Sequence, residues 1–293
     1  MKMHSDQAHV DAGLVTHLVA AQFPRLAGLP VTEVSSAGTV NAIFRLGAEL
    51  SVRLSLTERW STDLEREWQV LRELAPLVSI AVPEPVAMGD PSGDYPLPWA
   101  IYRWIPGRPY ADALVSDERL AARELARFVT ELRAVPLDGA PRAGRKPLAE
   151  LDAMTRADIE AAADEIDAPA ALSAWERVAE GPAWDGKPTW IHADLLRPNL
   201  LVDAGELQAV IDFGMAGAGD PAHDVIAAWS VFGPAGRAEY RHALAVDDDT
   251  WNRGRGIALH QAAAIIPYYR VTNPGLAASA KRTVEQILTN PLL

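Results

Sequence analysis

The sequence contains no cysteine. That removes disulfides, thiolate nucleophiles and cysteine-ligated zinc from consideration together. It also lacks any run near the roughly 18 consecutive apolar residues that a membrane-spanning helix needs. Its opening, "MKMHSDQAHVDAG", has no apolar core behind Lys2, so neither a secretory signal nor a membrane partner is expected. The expected location is cytoplasmic. Positive charge is scarce: 27 Lys and Arg against 39 Asp and Glu leave a net charge of −12. A nucleic-acid binder usually carries a basic face, so no nucleic-acid partner is expected. An acidic surface concentrates cations and suits a cationic small-molecule substrate; it also serves solubility alone, which is the simpler reading. Repeats and low-complexity tracts are missing, and nothing in the composition speaks to oligomeric state.

Two phosphate-binding patterns are absent on closer reading. "GPAWDGKP" at 181–188 fits G-x-x-x-x-G-K, but it follows a helical pattern rather than a strand. Pro188 also stands where the Ser or Thr would be, so the match is fortuitous. No G-x-G-x-x-G occurs, and "GRG" at 254–256 sits in a helical pattern.

What is present divides the chain in two. A helix is expected over about 10–22. "ELSVRLSL" then alternates, with Leu50, Val52, Leu54 and Leu56 on one face and Ser51, Arg53 and Ser55 on the other, which predicts a strand. "STD" reads as a helix cap before "LEREWQVLREL", where Leu64, Trp68, Leu71 and Leu74 recur at helical spacing. A proline-rich stretch and the short apolar strand "WAIYRWI" follow, and "PGRP" marks the best boundary. Beyond it the pattern is mainly helical, beginning with "DERLAARELARFVTELRAV". We therefore expect an α+β chain: a small N-lobe (1–104) with an antiparallel sheet and a helix, and a larger, mainly helical C-lobe (105–293).

The C-lobe contains one strand-like segment crowded with polar groups, "WIHADLLRPNLLVDAGELQAVIDFG" (190–214). "NLLVDAGELQAVIDF" reads as two strands around a turn at 203–206, with Gly205 supplying permissive dihedrals. Antiparallel pairing about Gly205 brings Asn199 to within about one residue of Asp212. Asp194 lies just upstream, near the same end. Two acids beside an amide oxygen suit a hard cation and magnesium-assisted phosphoryl transfer. Two other classes stay open: a metal-dependent hydrolase using His192, Asp194, His223 and Asp224, and a silent nucleotide-binding module. Against the first stand the small number of histidines, seven in all. Against the second stands the joint presence of Asp194, Asn199 and Asp212.

"HADLLRPN", followed after twelve residues by "DFG", resembles the H-x-D-x-x-x-x-N…D-F-G of protein-kinase-like enzymes. "MAGAGDPAHD" resembles the G-D-P-x-x-D run of the aminoglycoside phosphotransferase family. That resemblance implies a two-lobed protein-kinase-like fold. It further implies a kinase that moves the γ-phosphoryl group of ATP to a hydroxyl of a small molecule, first an aminoglycoside-type antibiotic, alternatively a macrolide, another antibiotic or a sugar-like metabolite. GTP stays open as donor. Asp194 would be the catalytic base and His192 would support the catalytic loop, while Asn199 and Asp212 would hold Mg²⁺. Arg53 falls where kinases carry Lys, and Glu67 where its ion-pair partner sits. Nucleotide contacts would come from the loop at 35–41, through Gly38 and Asn41, and from the hinge between Tyr102 and Ile105. Asp220 and Asp224 would brace the loop and the following helix. Ala193 stands where the family more usually has Gly, and Arg197 enters beside the site, to contact phosphate or to form an ion pair. Acidic clusters at 158–167 and 247–249, and Trp251, His260, Tyr268 and Tyr269, are weaker candidates for substrate contact than for surface or packing roles.

Overall fold

The structure is a computed structural model that describes residues 7–34 and 40–289. Its first half is a five-stranded antiparallel sheet in the order β1-β2-β3-β5-β4, built from β1 (Val31–Glu33), β2 (Asn41–Leu46), β3 (Leu50–Ser55), β4 (Pro85–Gly89) and β5 (Trp99–Arg103). The alternation in β3 does what its period dictates: Val52 and Leu54 are fully buried, while Ser51 and Arg53 face the opposite side. β5 does not alternate because both of its faces are covered. Trp99 and Ile101 pack with Val15, Leu18 and Val19 of α1 (Ala12–Gln22). Ala100 and Tyr102 pack with Leu64, Leu71 and Leu74 of α2 (Ser61–Leu74). Trp99 also lies flat on Gly89, where any side chain would collide with its indole.

Two helix starts differ from the sequence reading. Asp11 caps α1 through Leu14 N, so the helix begins two residues after Val10. Ser61, Thr62 and Asp63 lie inside the first turn of α2 rather than ahead of it, because a 3-10 turn over 58–60 leads directly into the helix.

The second half is mainly helical: α3 (Glu118–Ala134), α4 (Leu148–Ala161), α5 (Ala168–Ala179), the single turns α6 (Ala222–Val225) and α7 (Ala227–Ser230), then α8 (Pro234–Leu244), α9 (Asp248–Tyr269) and α10 (Pro274–Leu288). The predicted periodicity of α3 is real, with Leu125, Phe128, Val129 and Leu132 all buried. Acidic side chains start three of these helices: Asp117 caps α3, Asp167 caps α5 and Asp247 caps α9. No helix among the described residues is long and apolar enough to cross a membrane.

Small sheets lie between the halves. β7 (Thr189–Ile191) pairs with β10 (Gly217–Gly219), and β6 (Arg108–Pro109) pairs with β8 (Leu200–Asp203), which pairs with β9 (Glu206–Val210). The "GRP" that reads as a boundary thus also adds a short edge strand, a position that tolerates proline. The β8–β9 turn needs left-handed backbone at both of its central residues, Ala204 (φ 49°) and Gly205 (φ 91°). At Gly205 a side chain would strike Ser116 Oγ as well. A shift in register between Leu201 and Val202 then sets Leu200 opposite Val210.

Candidate active site

That register fixes the first part of the site. Ile211 N donates to Asn199 O at 2.9 Å, so Asn199 and Asp212 leave the open end of one hairpin side by side. Asp212 turns away in the left-handed region (φ 70°). Asp194 comes from the loop after β7, where Ala193 is also left-handed (φ 66°). Glycine adopts this region without strain, and an alanine holds it only because its surroundings impose it. The imposing group is Asp224, fully buried at the end of α6. Its carboxylate accepts from His192 N (3.0 and 3.1 Å) and Ala193 N (2.9 Å).

His192 is buried and has both ring nitrogens engaged. Nδ1 accepts from Asp194 N at 3.3 Å, which leaves the proton on Nε2, 3.1 Å from Ile211 O. Phe213 stands edge-on to the ring at 4.7 Å. The imidazole therefore joins the Asp194 loop to the Asp212 strand and has no nitrogen left for proton transfer.

The Asp194 carboxylate is held at both oxygens: Gln261 Nε2 donates to Oδ1 (2.6 Å) and Asn199 Nδ2 to Oδ2 (2.8 Å). Burial pushes its pKa above the usual carboxylate value and the negative charge of Asp212 adds to that; Arg145 and the Gln261 hydrogen bond pull the other way. A carboxylate so placed is a stronger proton acceptor than a solvated one.

On the sheet side, Arg53 donates to Glu67 (2.7 Å) and to Asp212 Oδ1 (2.7 Å). Glu67, only 1% exposed, also accepts from Phe213 N at 3.1 Å. With its amide oxygen turned to Arg53, Asn41 accepts from Nη2 and Nε at 2.8 and 2.9 Å. Burial disfavours charge on all three partners. At Arg53 the two acids outweigh burial and raise its pKa, and at Asp212 the guanidinium outweighs burial and lowers it. For Glu67 burial prevails over Arg53 and lifts the pKa to about 7. The helix carrying Glu67 is joined to the same strip of chain by its neighbour, since Arg66 donates to Ala216 O (2.8 and 3.1 Å) and to Arg142 O (2.7 Å).

These groups border a cavity of about 390 Å³ between the sheet and the hairpin. Asn41, Arg53, Asn199 and Asp212 line it, as does the chain from Tyr102 to Ile105. In that stretch Arg103 N and Trp104 N donate to Glu84 O and Glu49 O, while the N–H of Ile105 has no backbone partner among the described residues. The side chain of Tyr102 is buried against Trp68, on the sheet face it shares with its register partner Ser51 and with Arg53. Gly38 lies outside the described residues.

Other expected residues are engaged elsewhere. Arg197 turns from the cavity to Val231 O (2.8 and 3.0 Å), Asp112 and the face of Tyr110, the ion-pair outcome rather than a phosphate contact. Asp220 caps Ala222 N and pairs with Arg253 at 3.0 Å. Asp164 and Glu165 pair with Arg270, Glu165 also with Lys281, and Asp248 pairs with Arg241. His260 faces Thr155 and Trp175 inside the helical core. Sequence reasoning missed Gln261 and Arg145. A lone amide inside the apolar run "ALHQAAAII" was the available signal for Gln261.

The donors fit a magnesium ion. Arg53 engages one oxygen of Asp212, and Asn199 spends its amide nitrogen on Asp194, which turns its amide oxygen to the cavity. Magnesium bound alongside phosphates commonly takes one or two such oxygen ligands from protein. Among the described residues no group of three His, Cys, Asp or Glu forms a metal site.

The model of the phosphotransferase enzyme family matches residues 31–257. Among solved structures, APH(2")-IIia in complex with GDP and kanamycin is 20% identical, with a TM-score of 0.71 over 95% of this chain and 99% of that one. The gentamicin complex of APH(2")-IIa is 18% identical, with a TM-score of 0.61 over 95% and 97%. The macrolide 2'-phosphotransferase MphH of Brachybacterium faecium is 22% identical, with a TM-score of 0.60 over 97% and 99%. No curated protein matches.

Proposed function

Since the chain belongs to the phosphotransferase enzyme family, and is thus a kinase that transfers phosphate to a hydroxyl, we propose that the donor is ATP and the acceptor hydroxyl belongs to a small molecule bound beside Asp194. The observation that carries this reading is the convergence of Asp194, Asn199, Asp212 and Arg53. Asp194 takes the proton of the acceptor hydroxyl while that oxygen bonds to the γ-phosphorus and the bond to the ADP oxygen breaks. Asn199 and Gln261 fix the carboxylate for this. Arg53 supplies positive charge and its one remaining Nη1–H for the donor phosphates, Glu67 and Asn41 orient it, and the N–H of Ile105 takes the base. Asn199 and Asp212 would hold Mg²⁺, which when bound offsets the charge on the phosphates. We take the nucleotide-binding half as 1–104 and the acceptor-binding half as 105–293.

For the acceptor, aminoglycosides come first, as in the kanamycin and gentamicin complexes of the neighbours, and macrolides second. The test measures ADP and GDP release from ATP and GTP with kanamycin, a macrolide and amino and acidic sugars. Asp194→Ala should lose about 10²–10⁴-fold in kcat, the range of a general base, while still binding nucleotide. Wild-type turnover by Asp194→Ala on a genuine acceptor would overturn the assignment.

A further inference from the structure

We propose that a second cavity, next to Asp194 and lined by Arg145, takes an anionic group (carboxylate or phosphate) of the acceptor molecule; this rests on the reading of Asp194 as the base. The cavity, about 490 Å³, is enclosed by the chain leading into α4, the segment after α5, and α9. Helix α9 gives its place relative to Asp194. Arg253, Ile257 and Gln261 are four residues apart and share one helix face. Arg253 and Ile257 line the cavity, and Gln261 holds the Asp194 carboxylate. The cavity wall at Ile257 is therefore about 6 Å along the helix from the Asp194 contact. Arg145 bridges that interval, since it lines the cavity and its charge acts on Asp194.

The charge of this cavity runs against that of the protein. Arg142, Arg145 and Lys146 contribute three cations within five residues, and among the described residues none is in an ion pair with a carboxylate. A fourth cation, Arg253, is neutralised by Asp220. Glu150 is the remaining acid on the lining. Burial keeps His223, also on the wall, toward its neutral form. A chain with a net charge of −12 thus gathers positive charge at the acceptor side of Asp194, part of it shared with the Asp194 carboxylate through Arg145.

Hydrogen bonding points the same way. Arg145 Nε and Trp184 Nε1 are buried donors without an acceptor. Both residues line the cavity, and buried polar groups are satisfied in the great majority of cases, so each still has a donor to offer. A carboxylate or phosphate supplies the oxygens and the charge together. A polycationic acceptor would instead meet three like charges, so this cavity favours an acidic, sugar-like acceptor over the aminoglycosides placed first by similarity.

Titration calorimetry on the whole chain tests this with glucose 6-phosphate, gluconate and, as a cation of similar size, glucosamine. The anions should bind more tightly than glucosamine, and comparison of the two separates phosphate from carboxylate recognition. Arg145→Gln should weaken the anions at least tenfold, with Arg145→Lys in between. Lys146→Gln, at an exposed position that folding does not need, should weaken them two- to threefold. Tighter binding of glucosamine, no binding of either anion, or anion affinities unmoved by these substitutions would overturn the proposal. Nucleotide consumption separates the two readings. Anion binding without turnover of any acceptor removes phosphotransfer and leaves the cavity. Turnover of a cationic acceptor unaffected by Arg145→Gln does the reverse.

Discussion

Asp224 touches no candidate reactant, yet its removal should disable the site, and the cost can be worked from its contacts. Its carboxylate is the acceptor for two buried backbone N–H groups, those of His192 and Ala193. In Asp224→Ala both lose their partner inside a fully buried environment. Each orphaned donor costs about 1–3 kcal/mol, and relief from burying the carboxylate offsets part of this, for a net loss of about 3 kcal/mol. At roughly 2–3 °C per kcal/mol for a chain of this size, Tm should fall by about 6–9 °C. The loop is affected beyond stability. Ala193 is in a left-handed conformation that costs an L-residue about 1–2 kcal/mol, and Asp224 is what holds it there. Once released, Ala193 relaxes and moves Asp194, and a displacement near 1 Å costs about 10²-fold in rate. The assay is thermal unfolding beside kcat at saturating nucleotide, well below the variant's Tm. Nucleotide affinity should hold within about threefold, because Arg53 and Asp212 remain paired. A variant that melts lower yet keeps kcat within threefold of wild type would refute the claim that Asp224 positions the loop.

Gln261→Leu removes a bond that favours the charged form of Asp194. The acid limb of the kcat profile, set by Asp194, should move to higher pH, and an unmoved limb would count against this. Glu67→Gln should change how stability depends on pH. The folded chain holds a proton on Glu67 up to about pH 7, whereas an unfolded glutamate releases it near 4.5. The wild type therefore loses stability as pH rises through that window, and the variant lacks this loss; the difference in Tm between them should drift toward the variant from pH 5 to 8. Ala193→Gly relieves the left-handed strain but adds freedom to the unfolded chain, about 0.4–1 kcal/mol. It should raise the urea midpoint by an amount worth up to about 1 kcal/mol, and a fall in the midpoint would show that Ala193 is not strained.

The parts of the site legible in the sequence were those that depend on spacing within one local element. A turn at Gly205 with period-two pairing was enough to bring Asn199 beside Asp212, and the alternation in "SVRLSL" put Arg53 on the face opposite the core. Gln261 and Arg145 were not legible. They reach Asp194 from 67 residues later and from a loop between two helices, and no local period encodes an approach made by tertiary packing. The role of Arg197 was undecided in the sequence because a long cation beside a site can turn either way. The acceptors at Val231 and Asp112 settle its direction only once the chain is folded. Aspartates in acidic clusters look alike in sequence, yet Asp167 and Asp247 start helices while Asp164 and Asp248 form ion pairs.

Arg66 and Glu67 have a mechanical consequence. Two adjacent residues of α2 grip the strip from Phe213 to Ala216, Arg66 by the carbonyl of Ala216 and Glu67 by the amide of Phe213; Arg66 also holds the carbonyl of Arg142, and Glu67 also holds Arg53 of the sheet. Adjacent helical positions point about 100° apart, so a small roll of α2 that eases one grip strains the other. The helix therefore acts as a latch with two teeth: it keeps sheet and hairpin in register as a set, or it lets go of both together.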